Sequence, residues 1–141
     1  FTSYFGYYIH ENDLGTVYGA ETGYKIKINP DTVIAPDVSF ISNDRLHDSE
    51  VPDGYLTTIP NLVVEVISPG DTKKEVKDKI NTWLAFGVTL VITLNPRKRE
   101  VSLYRYNSEP LTLDENATLV LDDVVTGFSY PVSKFFLKRS S

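Results

Sequence analysis

The chain has 141 residues and carries 19 acidic against 14 basic side chains, a formal net charge of -5. That length suits one α/β domain whose core needs no disulfides. Cysteine is absent and the histidines are His10 and His47 alone, which excludes disulfide frameworks, thiolate metal sites and cysteine nucleophiles and argues against a multi-histidine zinc centre. The acidic balance is wrong for a protein that grips nucleic acid by bulk positive charge. It leaves room for an enzyme whose acidic residues bind metal and whose basic rim is local. The candidate basic spots are the segments 71–77, with Lys73, Lys74 and Lys77, and 96–99, with Arg97, Lys98 and Arg99. No apolar run approaches the ~20 residues of a membrane span, no signal peptide is visible, and a reducing cytoplasm fits the lack of cysteine. The chain starts at Phe1 and contains no methionine, so its natural N-terminal segment is expected to be missing and the 141 residues to form one domain.

Residues 1–12 are aromatic-rich and read as the tail of an element entering from upstream. Residues 16–28 predict two short strands bent at Gly23, because Tyr24, Ile26 and Ile28 alternate with lysines. Asn29-Pro30-Asp31 signals a turn. Residues 33–41 read as a strand, with Pro36 favouring an edge position or a strand start. Residues 42–60 are polar and loop-like, with a turn at Pro52-Asp53-Gly54. The strongest strand covers 61–67, where the β-branched run implies burial on both faces. A helix follows over 73–86: Thr72 with Glu75 makes a capping box, Val76, Ile80, Trp83 and Leu84 share one face, and Gly87 supplies a left-handed cap. Residues 88–94 form another buried strand and 100–106 return as a hairpin. A strand–helix–strand unit of this kind implies a parallel pair with a right-handed crossover. The tail, 110–137, shows short strands and turns.

Two acids interrupt apolar strands. Glu65 lies within Val63-Val64-Glu65-Val66-Ile67, and Asp37 within Ile34-Ala35-Pro36-Asp37-Val38. A buried carboxylate needs a cation, a metal or good hydrogen bonds. Taken singly, each acid is better explained by a structural ion pair or by an edge facing water; two such acids on neighbouring strands point to a shared metal. Lys79 then comes into register. The strand advances about 10 Å from Glu65 to Ser68, and the returning helix travels about 10 Å back from Thr72 to Lys79. Lys79 is therefore level with Glu65 on the flank of the apolar face, although a lysine snorkelling along the core edge has the same geometry. Two carboxylates and a lysine suit phosphodiester hydrolysis, with oxygen ligands for Mg²⁺ or Mn²⁺ and an ammonium to balance charge. Phosphate-loop, dinucleotide and nucleophile-elbow motifs are absent. Trp83 is most simply a core residue, and the basic turn 97–99 is more often a solvated hairpin tip than a DNA contact.

These stretches resemble the bacterial Uma family of restriction-endonuclease-like proteins, within the PD-(D/E)XK superfamily. The resemblance runs through Gly19-Ala20-Glu21-Thr22-Gly23-Tyr24, Ala35-Pro36-Asp37-Val38-Ser39-Phe40-Ile41, Gly54-Tyr55-Leu56 and residues 60–69. It continues at Asp71, residues 75–79, residues 83–88, Asn95-Pro96 and residues 127–132. It covers the chain from about Leu14 to Leu137. It implies a restriction-endonuclease-like α/β core with a mixed central sheet and flanking helices, acting on DNA with Mg²⁺ or Mn²⁺. Asp37 takes the place of the motif aspartate and Glu65 that of the motif glutamate, with the Val66 backbone carbonyl as a third metal oxygen and Glu21 as an accessory ligand. The superfamily lysine normally follows the glutamate by two residues, where this chain has Ile67; in the Uma family the lysine appears on the following helix, at the position of Lys79. Val91-Ile92-Thr93-Leu94 is a second departure, where relatives often carry tryptophan. The competing expectations are a non-catalytic nucleic-acid or protein interaction module on the same fold and, more weakly, a phosphohydrolase of small phosphoesters. A homodimer is a further possible assembly.

Overall fold

In the computed structural model, which describes residues 1–27, 32–46 and 55–136, the β-branched run at 62–66 lies inside a six-stranded sheet. The elements in chain order are α1 (Thr2–Glu11), β1 (Gly15–Tyr18), β2 (Tyr24–Lys27), β3 (Thr32–Ile34), β4 (Val38–Ser42), α2 (Asn43–Leu46), β5 (Leu62–Val66), α3 (Lys73–Phe86), β6 (Leu90–Asn95), β7 (Glu100–Tyr104), β8 (Leu111–Leu113), β9 (Thr118–Val120), β10 (Ser129–Pro131) and a 3₁₀ turn (Val132–Phe136). The sheet order is β1-β4-β5-β6-β7-β8, with β2/β3 and β9/β10 as separate two-stranded ribbons. β5 and β6 run parallel, joined through α3, and the other neighbours in the six-stranded sheet are antiparallel. The mixed α/β architecture is the one expected. The expected turns at 29–31 and 52–54 fall outside the described residues.

Alternation along the strands divides the core in two. Leu62 and Val64 of β5, with Leu90 and Ile92 of β6, point to the side covered by α1 and the C-terminal ribbon. Val63 and Val91 point to the opposite side, against Ile80 and Trp83 of α3. A strand buried on both faces has no polar alternation to show, which is why 61–67 reads as a continuous apolar run.

The crossover helix follows its local signals closely. Thr72 accepts from the Glu75 N–H at 3.0 Å and the Glu75 carboxylate accepts from the Thr72 N–H at 3.2 Å. At the other end Gly87 takes φ 112°, and the N–H groups of Gly87 and Val88 close on Leu84 and Trp83. A side chain at Gly87 would meet Ile59 at 3.0 Å in a conformation that L-residues rarely adopt.

Some local features differ from the sequence expectation, among them the short helix α2 within the segment 42–60 expected to be loop-like. Residues 2–11 form a complete helix whose Phe5 and Ile9, four apart, are buried under Phe40 and Phe128. Residues 33–41 are two strands rather than one, interrupted at Ala35-Pro36-Asp37. β4 begins just after Pro36, as a strand start, yet it is interior to the sheet because β1 pairs on its other side. Among the described residues no helix is long and apolar enough to cross a membrane.

The close approach of α1's exit to β4 generates a test of the packing. A methyl group at Gly15 would collide with the Ile41 carbonyl and lie 2.8 Å from the Ser42 Cα. Because both are backbone atoms, no rotamer change relieves the contact. Gly15→Ala is expected to destabilise the fold by roughly 1–3 kcal/mol, read from the urea midpoint at unchanged slope.

Candidate active site

Glu65 is the one buried carboxylate among the described residues, at 7 % exposure. It follows Val63 by two residues, so its side chain leaves the sheet on the α3 side. There the indole Nε1 of the fully buried Trp83 donates to its Oε2 at 2.8 Å. Trp83 is in turn set edge-on to Tyr24, ring centroids 5.8 Å apart, and the Tyr24 hydroxyl shares a 2.7 Å hydrogen bond with Ser39. Burial pushes the Tyr24 phenol up to about 12, partly offset by the Ser39 hydrogen bond, so it remains a neutral support for the indole.

Asp37 reaches the same place from the break before β4. The β4–β5 register sets Val38 opposite Val64, so a continued ladder would set Pro36 opposite Val66. The ladder stops there, and the Val66 N–H donates instead to Asp37 Oδ2 at 2.7 Å. Since the N–H and C=O of one strand residue point the same way, the Val66 carbonyl also faces the Asp37 side. Pro36 thus starts the strand and leaves a carboxylate in place of a backbone partner.

Lys79 projects from α3, exposed, beside the small cavity of about 70 Å³ that Glu65, Val66 and Thr93 line from the sheet. Ile67, where the superfamily pattern has its lysine, lines the same cavity with an apolar side chain. Asp71 and Glu75 also line it, but their carboxylates are engaged locally. Asp71 accepts from the Ser68 N–H at 2.8 Å and Glu75 closes the capping box. Burial raises the Glu65 carboxyl above its ordinary range. The Trp83 hydrogen bond and the Lys79 ammonium pull it back down, the Asp37 charge pushes it up, and the Asp37 backbone N–H favours the ionised form. Asp37 and Lys79 therefore both act on Glu65 electrostatically, with opposite signs. Glu21 stands apart: it is exposed in the turn after β1, its carboxylate lies beside Gly19, and it is not among the charges acting on Glu65.

The donor chemistry fits a divalent cation. The Glu65 and Asp37 carboxylates repel each other while the Lys79 ammonium attracts Glu65, and carboxylate and carbonyl oxygens are ligands that Mg²⁺ and Mn²⁺ accept. Among the described residues no three His, Cys, Asp or Glu side chains group as a metal cage. The sequence reading missed Trp83 as the partner of Glu65. Its spacing from Lys79, i to i+4, was the available signal, since it puts both on the side of α3 that passes Glu65.

Two measurements test this electrostatic picture. A carboxyl whose folded pKa is raised favours folding below its ordinary value of 4.5, and that contribution is lost as the pH rises through the folded value. Without metal, Glu65→Gln is therefore expected to melt above the wild type at pH 7, the difference closing toward acid pH. Trp83→Phe leaves a buried carboxylate without its donor and is expected to cost about 1.5–3 kcal/mol beyond the lost packing. A double-mutant cycle with Glu65→Leu, which removes the acceptor, isolates that part; full additivity would refute the coupling.

No curated protein matches the chain. A crystal structure from Anabaena variabilis, described as "a putative nuclease belonging to DUF820", superposes with a TM-score of 0.78 at 16 % identity, covering 96 % of this chain and 75 % of that one. At that identity the likeness establishes the fold alone. The profile of the Uma2 family, described as "Putative restriction endonuclease", matches residues 1–133. With nearly its whole length matched, the chain belongs to the Uma2 family of restriction-endonuclease-like proteins.

Proposed function

We propose that this protein is a metal-dependent endonuclease that hydrolyses DNA phosphodiester bonds. The observation that carries the reading is the meeting of a buried glutamate, a strand-break aspartate and a helix-borne lysine on one side of the sheet. Asp37, Glu65 and the Val66 carbonyl would hold the Mg²⁺ or Mn²⁺. Glu21 is left outside that set because its exposed carboxylate does not act on Glu65. When bound, the metal supplies Lewis-acid polarisation of the phosphate and a more acidic water.

The side chains have separate tasks. Trp83 fixes the rotamer of Glu65 and keeps one oxygen, Oε2, occupied, so the carboxylate is pre-oriented before any cation arrives. Asp37, tied to the Val66 N–H, holds its carboxylate against the end of β5. The Lys79 ammonium is not a metal ligand. It stands level with Glu65, where it orients the attacking water and balances the charge that develops on the phosphoryl oxygens. The Ile67 side chain cannot do this, and its apolar contact with the cavity helps to exclude bulk water.

Metal binding and cleavage are tested separately, on the whole natural protein. Millimolar Mn²⁺ is expected to raise the melting temperature of the wild type by mass action and to leave Glu65→Gln unmoved; an unchanged wild-type melt would count heavily against the site. Cleavage of DNA is expected only with Mg²⁺ or Mn²⁺. Glu65→Gln and Lys79→Ala should each lose at least about a hundredfold in rate, Lys79→Ala with its Mn²⁺ shift intact. Lys74→Ala is the control, since Lys74 is exposed and paired with Asp78 at 2.8 Å. Cleavage that survives the loss of Lys79 would reject the helix-borne lysine. Tight DNA binding without cleavage under any divalent metal would favour the interaction module.

A further inference from the structure

A cavity of about 970 Å³ lies beside the candidate active site and is not part of it. The two cavities share Ile67, Asp71, Val76 and Ile80 as a common wall. One side of the large cavity is α3, which contributes Lys73 and Lys77; the other is the β6–β7 turn, which contributes Arg97 and Lys98. These are the two basic segments of an otherwise acidic chain, brought face to face by the crossover. All four cations are exposed, and none has an ion-pair partner among the described residues. Their neighbours are committed elsewhere. Arg99 bonds Glu115 at 2.5 Å and the Phe136 carbonyl at 2.9 Å, and Arg105 makes a two-pronged pair with Asp123 at 2.9 Å. Asp71, the acid of the lining, is spent on the Ser68 N–H.

Between the basic rims the wall is apolar and aromatic. Val76 and Leu84 of α3 face Tyr104 of β7 across the cavity, and Tyr106 stands at its margin with 71 % of its surface exposed. A surface that reads only duplex backbone needs cations and polar donors, and gains nothing from an apolar floor between them. Cations at the rims with an aromatic platform between them suit a strand whose bases are unpaired: phosphates lie on the rims and bases stack inside.

Resting on the endonuclease reading above, we infer that this groove binds single-stranded DNA and delivers it past the shared wall to Glu65 and Lys79, so that the substrate is DNA with an unpaired segment. The negative charge of the strand complements four uncommitted cations, whereas a second copy of this chain, at net charge -5, brings mostly like charge to the same partners that attract DNA.

Fluorescence anisotropy of the whole natural protein in EDTA tests the groove without turnover. The probes are a labelled single strand of mixed sequence and its blunt duplex of equal length. The single strand is expected to bind at least about tenfold tighter. Tyr106→Ala should weaken it about five- to tenfold, and removing Lys77 and Arg97 should lower the salt slope by about 0.7 for each cation. Lys134→Ala, in the C-terminal 3₁₀ turn, should change neither. Equal or tighter duplex binding, or wild-type affinity in the groove variants, overturns the inference. So does a dimer in gel filtration that Tyr106→Ala dissociates, because the groove would then hold a second copy. Failure of the enzymatic reading looks different: single-strand preference would persist in EDTA while no metal supports cleavage. Duplex cleavage indifferent to the groove variants would reject the groove and leave the nuclease standing.

Discussion

The architecture of the site depends on how one carboxylate is kept inside the sheet. Glu65 sits between Val64 and Val66 on a strand with neighbours on both sides. An ionised group there, with no partner, costs several kcal/mol. The indole of Trp83 meets that need with a neutral donor rather than a cation. The distinction matters chemically. A lysine or arginine paired directly to Glu65 would neutralise it, whereas an N–H donor satisfies one oxygen and leaves the carboxylate without a bound counter-charge. The charge that would have formed an ion pair is placed instead on Lys79, one helical turn away and exposed.

This arrangement makes α3 the organising element. A single helix, with both ends fixed by strong caps, presents Trp83 to the carboxylate, Lys79 to the small cavity and Lys73 and Lys77 to the large one. Its phase sets all of these at once, so a rotation of the helix that moved Lys79 would also unpair Glu65. The parallel β5–α3–β6 connection holds that phase through packing of Ile80 and Trp83 on Val63 and Val91.

The second carboxylate depends on an interruption. Pro36 cannot donate to a sheet ladder, and the break at 35–37 frees the Val66 N–H for the Asp37 side chain. Substituting a side-chain acceptor for a backbone one ends the β4–β5 pairing beside Glu65 and places the Asp37 carboxylate where a continued ladder would have put a peptide group. Broken pairing next to a site is a common way to aim a side chain, and here it aims the Asp37 carboxylate at the end of β5.

Local chemistry was enough to define part of this protein from its sequence. The capping box at Thr72 and Glu75, the left-handed cap at Gly87 and the apolar strand at 61–67 are short-range or compositional signals; the caps are present, and the strand forms over Leu62–Val66 and is buried as far as Glu65, with Val66 exposed. Glu65 and Asp37 were legible as candidates because an acid inside an apolar strand is costly wherever it occurs, and Lys79 was reachable by counting rise along a strand and a helix. Other features exist only in the folded chain. The helical state of residues 2–11 lacks a side-chain cap and rests on aromatic contacts with Phe128 and Phe40. The interior position of β4 depends on β1, from a distant turn of the chain. The i to i+4 spacing from Lys79 put Trp83 on the right side of α3, but the indole–carboxylate bond itself and the facing of residues 73–77 with 97–98 were decided by tertiary structure. Each joins groups some twenty residues apart in sequence, and no periodicity encodes which polar atom an indole will meet or which two basic segments a crossover will bring together.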